Sequence, residues 1–423
     1  MVKKYVGYLD RKVTWVSETK LSDAANVIEI DTALDDQTII QEYEVKDNQL
    51  IHCFEKRDPK NLKIAMITSY GINCGLATYA KYLGDALRPL VKELKFFAEL
   101  DPNLQDQPDV VRCWDRKTGD YSGIFKAIQD YNPDIIYVQH EYGVFNHGAN
   151  WNALISNLSA HYRTVVVLHS VYDHFDKLIY EAPCAEIIVH SKSSRELLKK
   201  RGINHANIHY IPHGCLEQIQ VNTKFSSIHS DHVIFQFGFG FQYKGWDQVI
   251  EIVDKLKNIY PDILYVGVFN ISQYSKEFHN YYYSNLIKII SDKGLQKHIS
   301  LHKGFRSEEV LYSYMAQSKV NLFPYTNHFE WLVHGASGAV RLALASGTVC
   351  VLGDVPFFTE FKGTLPICSS VDEYVSVISK LFDDKNYAES IKQLQKQFIE
   401  NRTWDKIAQW YLNIDPRKEF TAL

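Results

Sequence analysis

Residues 232–253 read HVIFQFGFGFQYKGWDQVIEIV. The stretch opens on a run dominated by valine, isoleucine and phenylalanine, passes through Gly238 and Gly240, and reaches Lys244. Trp246, Val249, Ile250 and Val253 then recur at helical spacing. A strand, a glycine turn and an amphipathic helix in that order make a βα unit, and a near-continuous apolar strand belongs to a parallel sheet covered on both faces.

The same alternation runs outward in both directions. Downstream come the strand-like ILYVGVFN, ISLHKGF, VNLFPY and TVCVLG, with helical SEEVLYSYMAQS and SGAVRLALASG between them. Upstream, from Asn61, lie KIAMITS, DIIYVQH, RTVVVLHS, EIIVHS and NIHYIPHG; the helix LATYAKYLGDAL follows the first of these, with Leu76, Tyr79, Ala80 and Leu83 on one face. The two series are separated by LEQIQVNTKFSSIHS, which is polar and irregular. The expected fold is α/β, with two Rossmann-like doubly wound parallel-sheet domains facing a cleft. The expected boundaries are an N-terminal domain at 61–218, a linker at 219–230 and a C-terminal domain at 231–396. Residues 1–60 read differently: VIEIDTAL and TIIQEYEV are short strands between Asp-rich turns, which predicts a β-rich extension. Residues 397–423 hold a closing helix whose Trp404, Ile407, Trp410 and Tyr411 share one face and need a surface to pack on.

Bulk properties narrow the function. A chain of 423 residues suits two domains, and a formal net charge of -4 with 46% hydrophobic residues demands no strongly charged partner. Seven scattered cysteines form no Cys-x-x-Cys pair, which fits a reducing, cytoplasmic setting. No run approaches the ~20 apolar residues of a membrane-spanning helix, and the N-terminus lacks the apolar stretch of a signal peptide.

Several constellations could carry chemistry. Gly71 and Gly75 in SYGINCGLATYAKYL let a backbone approach a ligand and leave helix-start amides for an anion, although a βα turn needs glycine anyway. Lys244, behind Gly238 and Gly240, suits a leaving diphosphate or is simply a solvated lysine at a helix start. In HGASGAVRLALASG, Gly335, Ser337 and Gly338 precede a small-residue helix that carries Arg341; they could hold a phosphate or serve close helix packing. His140, His169, His190 and His213 each close a strand, where open α/β sheets bind ligands. None has zinc spacing and no Asp-x-Asp pair is present, so the site is expected to be metal-free. Neither G-x-G-x-x-G nor the Walker A pattern occurs at these turns.

Taken together, CGLATY, VQHEYGVF, VVLHSV, IVHSKSSRELL, IPHG, KGWD, FPY and SGAVRLALASGTVCVLGDVPFF resemble glycosyltransferase family 4, the retaining enzymes of the GT-B fold, in family order from about Asn61 to Glu360. The resemblance implies a transferase that moves a sugar from a nucleotide-diphosphate sugar (UDP- or GDP-sugar) to an acceptor hydroxyl, with no further cofactor. A glycan or glycolipid is the implied acceptor and a modified DNA base the less favoured one. It implies that Gly75 lies near the donor phosphates and the acceptor, that His169 approaches the donor sugar and that Lys244 holds the diphosphate. Gly238, Gly240, Ser337, Gly338 and Arg341 join the donor site, and His140, Glu141, His213 and His334 line the cleft. It further implies that the C-terminal helix crosses back onto the N-terminal domain.

Two positions depart from the family. Phe239 stands where many members carry an arginine, and the Glu-x₇-Glu pattern falls on His334 and Leu342, with Arg341 or Glu330 as possible replacements. These departures keep a non-catalytic nucleotide-sugar-binding protein, or another GT-B reaction such as epimerisation, as alternatives. Lys81, Arg88, Lys92 and Lys95 could form a basic patch for a membrane surface or an ordinary solvated face.

Overall fold

A computed structural model describes residues 2–9, 12–19, 27–32, 36, 39, 43–46, 49–52, 58–104, 107–145, 149–172, 186–203, 208–221, 230–272, 275–327 and 333–413. The chain divides into two compact units, one of residues 1–212 with 407–423, the other of residues 213–406. Glu330, Cys53, Cys184 and most of the polar stretch at 219–230 lie outside the described residues.

The first unit opens with five antiparallel strands, β1 (Val2–Leu9), β2 (Lys12–Ser17), β3 (Val27–Thr32), β4 (Tyr43–Lys46) and β5 (Gln49–His52), ordered β3-β1-β2-β4-β5. This is the β-rich extension read from the sequence. A small core of Val6, Val13, Ile28, Ile39 and Val45 holds it together.

The rest of the unit is a parallel sheet of seven strands, ordered β13-β12-β10-β9-β6-β7-β8. They are β6 (Lys63–Ile67), β7 (Glu93–Glu99), β8 (Val110–Trp114), β9 (Ile135–His140), β10 (Arg163–Leu168), β12 (Glu186–Val189) and β13 (Ile208–Tyr210); a short strand, β11 (Ser170–Tyr172), follows β10. Helices α1 (Gly75–Leu87), α2 (Ser122–Tyr131), α3 (Ala149–His161) and α4 (Lys192–Lys200) connect them. Strands β6, β9 and β10 are apolar nearly throughout because helices cover both faces. Trp114, Tyr121, Phe145 and Trp151 pack ring against ring in the core under α2 and α3.

At the opposite end of this sheet, Glu186 accepts from Arg163 through both oxygens (2.7 and 3.2 Å), and His209 Nε2 lies 3.3 Å away. All three side chains are buried, and the Arg163 charge holds the Glu186 carboxyl well below the usual carboxylate range against the effect of burial.

The closing helix, here α11 (Trp404–Leu412), buries Ile407, Ala408 and Tyr411. Tyr411 belongs to the first unit, where its hydroxyl meets that of Tyr79 at 2.7 Å and its carbonyl accepts from the Tyr137 hydroxyl at 2.8 Å. Trp404 belongs to the second unit and lies so close to Gly214 that a Cβ there would stand 2.4 Å from its ring.

The second unit carries a parallel sheet of six strands, ordered β16-β15-β14-β17-β19-β20. The strands are β14 (Val233–Phe239), β15 (Leu264–Asn270), β16 (Ile299–Lys303), β17 (Val320–Phe323), β19 (Val349–Gly353) and β20 (Ile367–Cys368), with the short β18 (Val333–Gly335) outside that sheet. Helices α5 (Trp246–Leu256), α6 (Lys276–Asp292), α7 (Glu308–Gln317), α8 (Gly338–Leu344), α9 (Val371–Asp383) and α10 (Lys385–Glu400) fill in the connections. One core lies under α5, α6 and α9 and the other under α7, α8 and α10.

Both parallel sheets start at a central strand, build outward to one side, then return to build on the other. The order reverses between β6 and β9 in the first unit and between β14 and β17 in the second. Connections leave such a pair in opposite directions, so a crevice opens at the carboxyl ends of its strands.

The Glu186 cluster gives a direct test of the first core. Removing one partner of a buried ion pair strands the other charge, so Glu186→Gln should lower the unfolding free energy by about 3–5 kcal/mol at neutral pH. Because the folded-state carboxyl is the more acidic, that deficit should shrink as pH falls below about 4. Denaturant melts of both proteins across that range would check it.

Candidate functional site

At the switch point of the second unit, β14 runs through Gly238 and Phe239 into a turn that delivers Lys244, while β17 delivers Pro324 and Tyr325. Gly245 takes φ +71° between Lys244 and α5, and a Cβ there would sit 1.9 Å from the Pro324 carbonyl. Only glycine lets the two strand ends close on each other in this way.

The close approach places Lys244 Nζ 2.5 Å from the Tyr325 hydroxyl, to which it donates, and 3.9 Å from the centre of that ring. Ser337 Oγ stands 3.4 Å from the same hydroxyl and also caps α8 by accepting from Val340 N. Below, the Gln236 amide donates to the Lys244 carbonyl and accepts from the Tyr265 hydroxyl, which fixes the turn from beneath. Burial lowers the Lys244 pKa to about 7, with no carboxylate among the causes that would restore its charge. The arrangement is an ammonium kept short of counter-charge, in line with two hydroxyls and close to a helix start. Such a site favours an incoming anion, whose charge would return the lysine to its protonated form.

His213 joins this corner. Its ring contacts Trp404 at 5.3 Å, Nδ1 meets the Gly214 carbonyl, and Nε2 would lie 3.4 Å from a Cβ on Gly338. Arg341 is 1% exposed: Nε donates to the His213 carbonyl, one terminal nitrogen to the Ser337 carbonyl and the other to the Glu360 carboxylate. Its donors thus face protein acceptors and brace Ser337 and His213 from behind.

Gly238 is at φ +147° with open space where a side chain would be. Gly240 differs, since a Cβ there would strike the Phe269 ring at 2.1 Å, so packing alone requires a glycine. Phe239 is half-buried and turns its ring edge to Phe305 at 5.7 Å. His334 lies half-buried on β18.

In the first unit the strand-end histidines separate by environment. His140 is buried beneath Trp151, Phe145 and Tyr142. His190 is buried with Nδ1 against the Ile211 carbonyl. His169 sits 2.8 Å from Gln139 Oε1 through Nε2, with the rings of Tyr79 at 4.5 Å and His190 at 4.8 Å. Burial first, then the neighbouring histidines, hold His169 well below its usual pKa, so it stands as a neutral imidazole; with the Gln139 oxygen as acceptor, Nε2 carries the proton. Glu141 accepts from Ser170 Oγ and from Tyr142 N, which ties it into its own loop, and burial raises its pKa. Gly75 begins α1 after the cap residue Cys74, with nothing within 4 Å of the place its Cβ would take.

Tyr325 lay inside the quoted FPY segment, but its pairing with Lys244 depends on β14 and β17 being neighbours, which no local pattern reveals. The supposed basic patch is largely paired: Lys81 and Arg88 with Asp85, Arg88 also with Asp109, and Lys95 with Glu93. The described cysteines, Cys74, Cys113, Cys215, Cys350 and Cys368, are free thiols. Among the described residues no cluster of His, Cys, Asp and Glu could hold a metal ion, and no helix is long and apolar enough to cross a membrane.

Known structures define the class. The two parallel α/β sheets are those of GT-B proteins: a glycosyltransferase from Rickettsia africae superposes with a TM-score of 0.65 at 13% identity, over 83% of this chain and 97% of that one. Sucrose-phosphate synthase from Thermosynechococcus elongatus gives 0.63 at 14% identity, over 83% and 97%. The Anabaena protein HepE, solved with UDP-glucose, gives 0.62 at 16% identity, over 82% and 98%. No protein-family profile and no curated protein matches the chain.

The depressed lysine yields a stability prediction. Between pH 7 and about 10.4 the unfolded chain holds a proton on Lys244 that the folded chain lacks, so folding pays a penalty that is largest at and below pH 7 and fades as pH rises. Ligand-free Lys244→Met escapes that penalty. Its melting temperature relative to wild type should be highest near pH 7 and fall steadily towards pH 10, as read by calorimetry.

Proposed function

We propose that the protein is a retaining glycosyltransferase of the family 4 type, using a nucleotide-diphosphate sugar as donor and a hydroxyl of a glycan or glycolipid as acceptor. The observation that carries this reading is the Lys244, Tyr325 and Ser337 constellation at the switch point of the second sheet. Breaking the bond between sugar and diphosphate concentrates negative charge on the leaving oxygen. A lysine short of counter-charge, with hydroxyls beside it, stabilises that charge more in the transition state than in the ground state.

The donor sugar is the second half of the problem. Neutral His169, oriented by Gln139, would read a sugar hydroxyl without adding a positive charge that competes with the departing diphosphate. Retention follows if the departing phosphate itself draws the proton from the acceptor hydroxyl on the same face of the ring. UDP-glucose is the first donor to try, since HepE has been solved with it.

Phe239 supports a second reading, nucleotide-sugar binding without transfer. It packs on Phe305 where a cation would help a diphosphate leave.

Both readings are separated by incubating the protein with UDP-, GDP- and ADP-sugars and following free nucleotide by mass. The transferase reading predicts that one donor is bound and slowly hydrolysed even without acceptor. Lys244→Met should cut that turnover at least a hundredfold, a loss of about 2.7 kcal/mol or more in transition-state stabilisation. Binding with no turnover of any donor would favour the second reading, and near-normal turnover by Lys244→Met would remove the lysine from the mechanism.

A further inference from the structure

His169 follows strand β10 with its ring half-buried, and its backbone N–H is fixed on the His140 carbonyl at 3.1 Å. A neutral imidazole donates from one nitrogen and accepts at the other, so the group held at Nε2 decides what Nδ1 offers. That group is the Gln139 amide, whose Oε1 lies 2.8 Å away. An amide has two unlike ends. With its oxygen on the histidine, Nε2 donates and Nδ1 presents a lone pair; turned over, its NH2 group would donate to Nε2 and move the ring proton to Nδ1. His169 therefore takes its hydrogen-bonding sense from the way Gln139 points.

Gln139 lies fully buried on β9, so protein groups settle that choice. Its far end faces the hydroxyl of Tyr411, on the closing helix α11. Burial and then Tyr79 raise the Tyr411 pKa well above the usual phenol range, while the Gln139 contact works in the opposite direction, as an N–H donor on the phenol oxygen does. Tyr411 is itself fixed. The residue is 1% exposed, its hydroxyl meets that of Tyr79 at 2.7 Å, and its carbonyl accepts from the Tyr137 hydroxyl at 2.8 Å. The Tyr79 ring then stands edge-on to the His169 ring with centroids 4.5 Å apart, which closes a circle of four side chains.

We infer that Tyr411 is a positioning residue for His169: its hydroxyl keeps the Gln139 amide from turning over, and so holds the imidazole as the Nε2–H tautomer with an acceptor at Nδ1. The protons run one way round the circle. Tyr411 donates to the Tyr79 oxygen, its own oxygen accepts from the Gln139 NH2 group, and the Gln139 oxygen is left for His169 Nε2–H. A lone pair at Nδ1 suits a ring that accepts from a hydroxyl of the donor sugar. That use rests on the transferase reading, but the tautomer does not.

The tautomer is read directly in long-range proton–nitrogen correlation spectra of the full chain labelled with nitrogen-15 histidine, at pH 7 and without ligand, with His169 assigned by its loss in His169→Gln. Wild type should show the Nε2–H form. Tyr411→Phe removes the acceptor, and Tyr79→Phe frees the Tyr411 proton for the amide oxygen, so in each the Nδ1–H form should rise to about a tenth of the population or more. Tyr137→Phe strips another buried hydroxyl from the same helix contact without touching Gln139, and should leave the tautomer as in wild type. A wild type in the Nδ1–H form overturns the inference, as does a folded Tyr411→Phe or Tyr79→Phe that keeps the wild-type tautomer, or an equal shift in Tyr137→Phe. Where a nucleotide sugar is turned over, Tyr411→Phe should slow turnover about tenfold or more while binding of the free nucleotide diphosphate is kept. The expected tautomers in a protein that turns over no nucleotide sugar would leave this inference standing and remove the transferase reading instead.

Discussion

The reversal of strand order in each parallel sheet is the constraint on which everything else depends. Between β6 and β9, and again between β14 and β17, neighbouring strands send their chains to opposite faces and leave their carboxyl ends uncovered. In the second unit this brings the turn after β14 against the end of β17, a contact tight enough that Gly245 admits no side chain. From that contact follow the burial of Lys244, its alignment with Tyr325 and its lowered pKa. The site is thus a product of topology first and of side-chain choice second.

Support from behind marks some residues as positioning residues. Gln236 and Tyr265 hold the Lys244 turn from within the sheet, and Arg341 with Glu360 holds Ser337 and His213. Buried networks of this kind are rigid when every member is satisfied. In the first unit Gln139 does the same for His169.

The fold was legible in the sequence wherever a strand is buried on both faces. Strands such as IIYVQH and VIFQFGF are continuous apolar runs, and the glycines after them mark the turns. Strands β7 and β8, ELKFFAE and VVRCW, escaped notice because charged residues interrupt their apolar runs, and Glu99 went unremarked with them. The lysine, the glycines and Ser337 were visible as local patterns. Tyr325 as a partner for Lys244 was not, since 81 positions separate them and only the strand order joins them. The strand-end histidines looked alike in the sequence, yet aromatic packing claims His140 and a backbone carbonyl claims His190, while His169 alone of these three is held by a side-chain amide. Arg341 was expected in the donor site; its guanidinium is buried, with its donors on the His213 and Ser337 carbonyls and the Glu360 carboxylate.

The central claim is that Lys244 and its hydroxyl partners receive the charge of a departing diphosphate. A crystal structure of the protein grown with UDP tests it most directly. The account predicts the terminal phosphate within about 3 Å of Lys244 Nζ, the distance of a charge-assisted hydrogen bond, with Tyr325 or Ser337 on a second oxygen. A nucleotide seated elsewhere, with Lys244 still donating to Tyr325, would contradict it.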